Sequence, residues 1–442
     1  MLTASGYFYA YWNWRFLFLL GGAIAVNWLA GDQAATALRR DRHGNARWWV
    51  RAAIVADLAV LGLFKYYNFF ALELANLARD LGLDVSIRLL SLTLPVGISF
   101  FTFQAMSYVI DIGRRQIEPM ELLDFAVYLS FFPQLVAGPI VRASEMAPQM
   151  ATRPDPRYVA SAEAFRLIFS GLFKKVVISS YLASEIVDGV FADPAGHSGF
   201  EVLLGVYAYA IQIYADFSGY TDIAIGVALL LGFRFPQNFD APYRALSVQD
   251  FWRRWHMTLS NWLRDYLYIP LGGNRGGALL TYRNLMLTML LGGLWHGSTW
   301  NFVVWGGIHG AALAVERLLN GGGDGTRRPR GGRDILRWVV TFHVVCGAWV
   351  FFRSETLDGA LDVLVRLGSL TADGAGVVSP LLIFVIVACL AAQFVPADVL
   401  GEFDGMMVRA GWLAQGLALG LGLVVIDVFA PDGVAPFIYF QF

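Results

Sequence analysis

Cysteine is nearly missing from this chain: of 442 residues only Cys346 and Cys389 carry a thiol. Both fall in apolar runs, which argues against a disulfide framework and against a thiolate metal site. Charge is scarce as well, with Asp, Glu, Lys and Arg making up 15% of the residues, against about a quarter in a soluble domain. Several enzyme motifs are missing: GxSxG, a P-loop, GxGxxG after a strand, and HExxH. Ser99 and Ser218 have no base at a useful spacing. The opening MLTASGYFYAYWNWRFLFLL lacks a basic leader and a small-residue cleavage site, so no cleavable signal peptide is expected. No internal repeat and no inverted pair of broken helices is visible, which argues against the usual transporter designs.

What the chain has in excess is apolar length. Hydrophobic residues make up 57% of it and the mean hydropathy is +0.54, the composition of an all-α polytopic membrane protein. Apolar runs near 16–31, 52–70, 91–111, 122–141, 164–182, 200–232, 286–300, 302–318, 337–352, 379–395 and 410–430 predict roughly ten to eleven spans, since about 20 residues cross the hydrocarbon. Gly, Pro or charge interrupts several of them, so some should be tilted, paired or re-entrant.

Arginine sets the orientation. The loops RRDRHGNARWWVR at 39–51 and RRPRGGRDILR at 327–337, the second after a Gly-rich linker at 321–325, are expected on the cytoplasmic side. GRRQIEP at 113–119 and the polar stretch 142–166 read the same way, and parity places the residues before 15 outside. These charge runs set topology; no soluble fold or aromatic interleaving marks them as a nucleic-acid surface.

Residues 233–285 are neither loop nor span. Trp, Tyr and Phe alternate there with Arg, Asp and His, which suits short amphipathic helices lying at the interface or folded into the bundle to line a cavity. Asp250, Arg253, Arg254, Arg264 and Asp265 can pair with one another, either as structural salt bridges or as the wall of a site. Upstream, Asp216 and Asp222 fall inside an apolar run, where a carboxylate must pair, stay protonated or line a wet path. Six residues apart, they are separated by a net rotation of about 240° on a helix, so they read as cavity-wall residues and not as a paired acid and base.

Six histidines remain to be sorted. His43 and His197 are expected in solvated loops, and His343, near Cys346, in the packed core. His256, His296 and His309 lie among aromatic and apolar residues, with no i, i+3 or i+4 pair to hold a metal on one helix. His296 and His309 each sit inside a GxxxG pattern, Gly293 to Gly297 and Gly306 to Gly310, which permits close helix approach. On one continuous helix the two would stand about 20 Å apart along the axis and roughly 220° apart in rotation, so both cannot serve one atom. Two readings stay open: a histidine packed between helices, or a lone buried general base suited to moving an acyl group onto a hydroxyl.

The longer motifs carry a resemblance. FWRRWHMTLSNWLRDYLYIPLGGNRGG at 251–277 and LGGLWHGSTWNFVVWGGIHG at 291–310 resemble the signature of the membrane-bound O-acyltransferase family. LPVGISFFTFQAMSYVIDI at 94–112, FFPQLVAGPIVR at 131–142, DFSGYTDIAIG at 216–226 and FIYFQF at 437–442 are similar to its alginate O-acetyltransferase branch, with the teichoic acid D-alanyl transferase a nearer cousin than the eukaryotic lipid enzymes. The similarity runs from about Tyr7 to Phe442, although relatives in this branch usually carry a further apolar helix before the FYAYWNWRFLFLL-like segment.

This resemblance implies one integral-membrane domain over 1–442, with a catalytic core at about 91–318, a cytoplasmic basic loop at about 320–337 and C-terminal helices at 338–442. It implies a ring of helices around a central tunnel, with short re-entrant and amphipathic helices. By position, the family's catalytic histidine falls on His296 and its second polar position on His256. Asp216, Asp222, Arg253, Arg254, Trp255, Asn261, Arg264, Asp265, Trp295 and Asn301 would line the tunnel or support it, and His309 takes no role. The implied reaction moves acetyl from acetyl-CoA or another cytoplasmic thioester to an extracytoplasmic polysaccharide, directly or through a periplasmic acetyltransferase. No bound cofactor, metal or nucleic-acid partner is expected, and the site of action is the bacterial inner membrane among its lipids. The rival readings are a D-alanyl transferase fed by a carrier protein and, in another class, an acyl or glycan transporter.

Overall fold

Most of the apolar length becomes helix, and no strand forms among the described residues. The computed structural model describes residues 1–83, 85–152, 159–319, 331–369 and 376–430. The 437–442 motif, residues 320–330 of the linker and basic loop, and 153–158 of the polar stretch lie outside them. Among the described residues six helices are long and apolar enough to cross a membrane: Phe16–Arg39, Ser161–Ala192, Gly199–Leu230, Trp300–Leu319, Gly332–Arg353 and Arg409–Phe429. The chain is therefore a multi-pass membrane protein. Its other apolar runs are shorter or interrupted, as the run at 122–141, which breaks at Phe131 after nine helical residues. Lipid accounts for the side chains left outward: Phe18 is 74% exposed, Leu417 75% and Val428 68%, an arrangement that water would not tolerate as a contiguous patch.

Contacts cluster in two compact units, Met1–Val159 with Leu231–Phe235, and Ala160–Leu230 with Pro236–Phe442. The first holds α1 (Leu2–Asn13), α2 (Phe16–Arg39), α3 (His43–Leu61), α4 (Tyr67–Asp80), α5 (Ile98–Gly113), α6 (Leu122–Ser130), α7 (Phe132–Leu135) and α8 (Ala143–Met150). Nearly all of α5 is buried, Gln104 and Asp111 included. His43, expected in a loop, opens α3 and is exposed.

The second unit contains α9 (Ser161–Leu172), α10 (Ser180–Leu182), α11 (Asp188–Ala192), α12 (Gly199–Leu230), α13 (Val248–Arg254), α14 (Met257–Leu263), α15 (Ala278–His296), α16 (Trp300–Leu319), α17 (Gly332–Arg353), α18 (Leu357–Ser369), α19 (Pro380–Ala392) and α20 (Ala397–Phe429). α12 is its central element, buried along most of its length, whereas the apolar stretch of α20, Arg409–Phe429, is almost wholly outward-facing. Wide π turns interrupt the helices at Gly62–Tyr66, Phe173–Ser179, Ala183–Val187 and Arg264–Tyr268. Three of these four carry a cation, Lys65, Lys174 with Lys175, and Arg264, in keeping with the frequent placement of π turns at functional positions.

Glycine sets the closest approaches. A Cβ on Gly171 would stand 2.5 Å from the Gly219 carbonyl oxygen, and one on Gly219 2.7 Å from that of Gly171, so α9 and α12 touch backbone to backbone. The GxxxG pairs do the same between α15 and α16, where a Cβ on Gly293 would meet the Phe302 oxygen at 2.2 Å and one on Gly306 the Met289 oxygen at 2.3 Å. Because backbone cannot yield as a flexible side chain does, Gly306→Ala should cost about 1–3 kcal/mol. Thermal melting of the purified protein in detergent checks this; an unchanged midpoint would show that the helices have room to part.

Candidate active site

α15 ends at His296 and the chain turns at Gly297, so α16 runs back along α15 instead of continuing it. His296 and His309, expected far apart on a continuous helix, thereby flank one indole: their rings lie 5.0 and 4.9 Å from that of Trp305. His256 joins from the other side, its ring 6.0 Å from Trp295, which in turn stands 5.0 Å from His296. Phe217 on α12 closes on His256 at 4.7 Å, and Phe352 on α17 on His296 at 5.3 Å. The three histidines thus share one buried aromatic ladder, His256, Trp295, His296, Trp305, His309, with relative exposures of 0%, 4% and 0% for the histidines in that order.

Hydrogen bonding distinguishes His256 from His309. An indole N–H only donates, so the Trp252 Nε1–H at 3.3 Å makes Nδ1 of His309 an acceptor. The neutral ring then carries its proton on Nε2 and has no lone pair left to take another. That Nε2 has no hydrogen-bond partner among the described residues, and the ring lies flat against Phe251, 6.0 Å away and 7° from parallel. His309 is built to pack.

His256 has the opposite polarity. Its Nδ1 lies 3.1 Å from the Asn238 Oδ1, an oxygen that also accepts from the Thr258 N–H and hydroxyl. Nδ1 of His256 therefore donates, and Nε2 carries the lone pair. Burial pushes the ring's pKa down to about 3, so it is neutral at physiological pH. Its backbone stands in the left-handed region, φ 43° and ψ 54°, a conformation that costs a non-glycine residue of order 1–3 kcal/mol and concentrates at functional sites. Asn238, whose backbone carbonyl accepts the Met257 N–H at 2.9 Å, holds this turn through main chain and side chain. The sequence reading missed Asn238, since nothing in QNFD marks a side chain that reaches eighteen residues along the chain. Asn238→Ala should slow turnover about 5- to 150-fold, if the roughly 1–3 kcal/mol of buried hydrogen bonding lost falls on the transition state. Rate measurements on membrane-inserted protein check this, and an unaltered rate would detach the turn from the reaction.

Beside the ladder a cavity of about 370 Å³ is lined by Arg253, Asn261 and Arg264, three of the expected residues, together with Gln249, Trp252, Ser260, Glu316 and Arg317. Trp252 links the two, bonding His309 at the end of the ladder and lining the cavity. Arg264 pairs with Asp265 at 2.7 Å. Arg254 faces elsewhere, bridging Asp250 at 2.9 Å and Asp240 at 2.8 Å. Trp255 is packed within the aromatic core, 4.9 Å from Trp349. Asn301 donates to the Ser354 carbonyl, tying the start of α16 to the end of α17.

Asp216 and Asp222 pair with Lys175 and Lys174 respectively, two lysines that the sequence reading did not single out. On α12 the aspartates lie about 60° to either side of Gly219, where α9 makes its close approach. The wide turn at Phe173–Ser179 then presents two consecutive lysines to the two flanks of that contact. His343, expected in the core, is exposed: its Nε2 meets the Tyr207 hydroxyl and its Nδ1 the Val339 carbonyl, each at 2.7 Å. An apolar run in a membrane helix has a lipid face, and His343 lies on it with both nitrogens engaged. His197 is half-buried, its Nδ1 2.8 Å from the Asp193 carbonyl.

The family model described as MBOAT, membrane-bound O-acyltransferase family, matches residues 12–352. The chain belongs to that family. Similar proteins include a probable alginate O-acetylase of Azotobacter vinelandii, 44% identical over 362 residues that cover 81% of this chain and 70% of the relative. A peptidoglycan O-acetyltransferase of Helicobacter pylori is 39% identical over 82% of this chain and 72% of its own. A teichoic acid D-alanyltransferase of Streptococcus thermophilus is 29% identical over 50% and 56%. Both the aromatic ladder and the arginine-lined cavity of this acyltransferase fall within the matched span.

Proposed function

We propose that this acyltransferase moves an acetyl group from a cytoplasmic thioester to a hydroxyl of an extracytoplasmic polysaccharide, with His296 as general base. The carrying observation is the ladder itself: His296 lies at its centre, His256 and His309 at its ends, and His309 has its lone pair committed to Trp252. His296 takes the acceptor's hydroxyl proton as the oxygen attacks the thioester carbonyl. The C–S bond breaks, and the leaving thiolate takes that proton from the His296 imidazolium, which returns the histidine to its neutral form. His256, with a lone pair on Nε2, accepts a hydrogen bond from the donor or acceptor and fixes its approach. The arginines of the cavity suit a phosphate-bearing donor such as acetyl-CoA, because guanidinium groups bind phosphate in a forked geometry.

The higher identity to the two O-acetylating relatives, over four fifths of the chain, supports acetyl over D-alanyl as the group moved. In this reading the protein resides in the bacterial inner membrane and serves a polysaccharide directly or through a periplasmic acetyltransferase. Membranes holding the protein, offered labelled acetyl-CoA or a D-alanyl carrier-protein thioester, test it. Label from acetyl-CoA alone is expected; label from the D-alanyl thioester alone would replace the reading with its rival.

A further inference from the structure

A second cavity, of about 600 Å³, opens in the first unit between α3 and the end of α5. His43, Arg47 and Arg51 recur every fourth residue along α3 and so share one face of it, and Arg114 at the end of α5 faces them across the opening. All four are exposed. No carboxylate lines the cavity; Leu38, Val50 and Ile110 form an apolar floor. Glu118 pairs at 3.5 Å with Arg39, a guanidinium outside the lining. Charge and floor together fit a phosphate ester joined to an apolar body.

The surroundings select the source of that phosphate. Trp48 beside the cavity is 60% exposed and meets Trp49 edge to face at 4.8 Å, the placement of aromatic rings at a membrane interface. Two turns along α3, Val55 is 66% exposed, where the helix has reached its lipid-facing stretch. The two segments that build the cavity, 38–51 and 110–114, are both assigned to the cytoplasmic side by their arginine content. Basic pockets between spans on that side are suited to anionic headgroups. We propose that this cavity holds the phosphate headgroup of an anionic phospholipid of the cytoplasmic leaflet, with Arg47, Arg51 and Arg114 around the phosphate and the start of the acyl chains over Val50 and Ile110.

Native mass spectrometry of the full-length protein from phosphatidylcholine vesicles with and without phosphatidylglycerol tests the assignment. The wild type should retain phosphatidylglycerol selectively and melt at a higher temperature with it. Each arginine near an anionic surface contributes about a fivefold gain in binding, so Arg47→Gln/Arg51→Gln should weaken retention about 25-fold. The control Arg79→Gln/Arg88→Gln, in exposed positions away from the cavity, should retain it fully. Inorganic phosphate, the free-anion source, should neither displace the lipid nor raise the melting temperature. Equal retention by both double variants would overturn the proposal, and stabilisation by phosphate alone would make the cavity a site for soluble anions. Should the double variant fail to fold, Arg51→Gln is read in its place, with a fivefold loss expected and an unchanged affinity contradicting it.

Discussion

His296→Ala is expected to lower acetyl transfer by about 10²–10⁴-fold, the usual contribution of a positioned general base, while the protein inserts and folds as before. The ring is buried between the edges of Trp295, Trp305 and Phe352, so its removal leaves a small cavity that the aromatic wall can outlast. His296→Gln should lose nearly as much, because an amide keeps a polar side chain in place without a base of useful strength. His309→Ala should leave the rate within a few-fold, at a cost in stability instead, since a hydrogen bond from Trp252 and a stacked face on Phe251 are lost. Rates in membranes at matched expression separate these cases. A His296→Gln protein near the wild-type rate would show that the base is elsewhere.

Lys175→Met is expected to lose about 3–5 kcal/mol of stability, because breaking one side of a buried ion pair strands its partner. Asp216 is 2% exposed and lies in the middle of α12, and the Ser179 hydroxyl at 3.3 Å is a weak replacement for an ammonium group. Lys175→Met/Asp216→Leu should recover most of that loss, since replacing both charges by apolar groups of similar size is often close to neutral. Unfolding in mixed detergent checks both. If the double variant is no more stable than the single one, the pair is not the source of the loss, and the backbone contact at Gly171 and Gly219 would be examined next.

What could be read from the sequence follows the physics of each feature. Helix formation and membrane passage depend on local apolar length, and the six long spans were visible for that reason. The GxxxG pairs at 293–297 and 306–310 likewise announced a close helix contact, because only missing Cβ atoms permit one. Positions that depend on a broken period were hidden. Lys174 and Lys175 reach both flanks of Gly219 through a π turn that a constant 3.6-residue period cannot foresee. The ladder required the turn at Gly297, without which His296 and His309 compute as distant. Asn238 acts through a side-chain oxygen serving a turn eighteen residues on, and no spacing rule encodes such a reach. His343 shows a different limit: apolar neighbours in sequence place a residue inside a soluble domain, but in a membrane helix they equally describe the lipid face.

The central claim, that His296 serves an acyl transfer across the membrane, is tested most directly by sidedness. Sealed vesicles oriented with the cytoplasmic face inward would be loaded with labelled acetyl-CoA, supplied outside with a polysaccharide acceptor and any periplasmic acetyltransferase it requires, and followed for label on the acceptor. Wild type and His309→Ala should deliver label outside, and His296→Ala should deliver none above background. Equal delivery by all three, or loss with His309→Ala while His296→Ala remains active, would contradict the account.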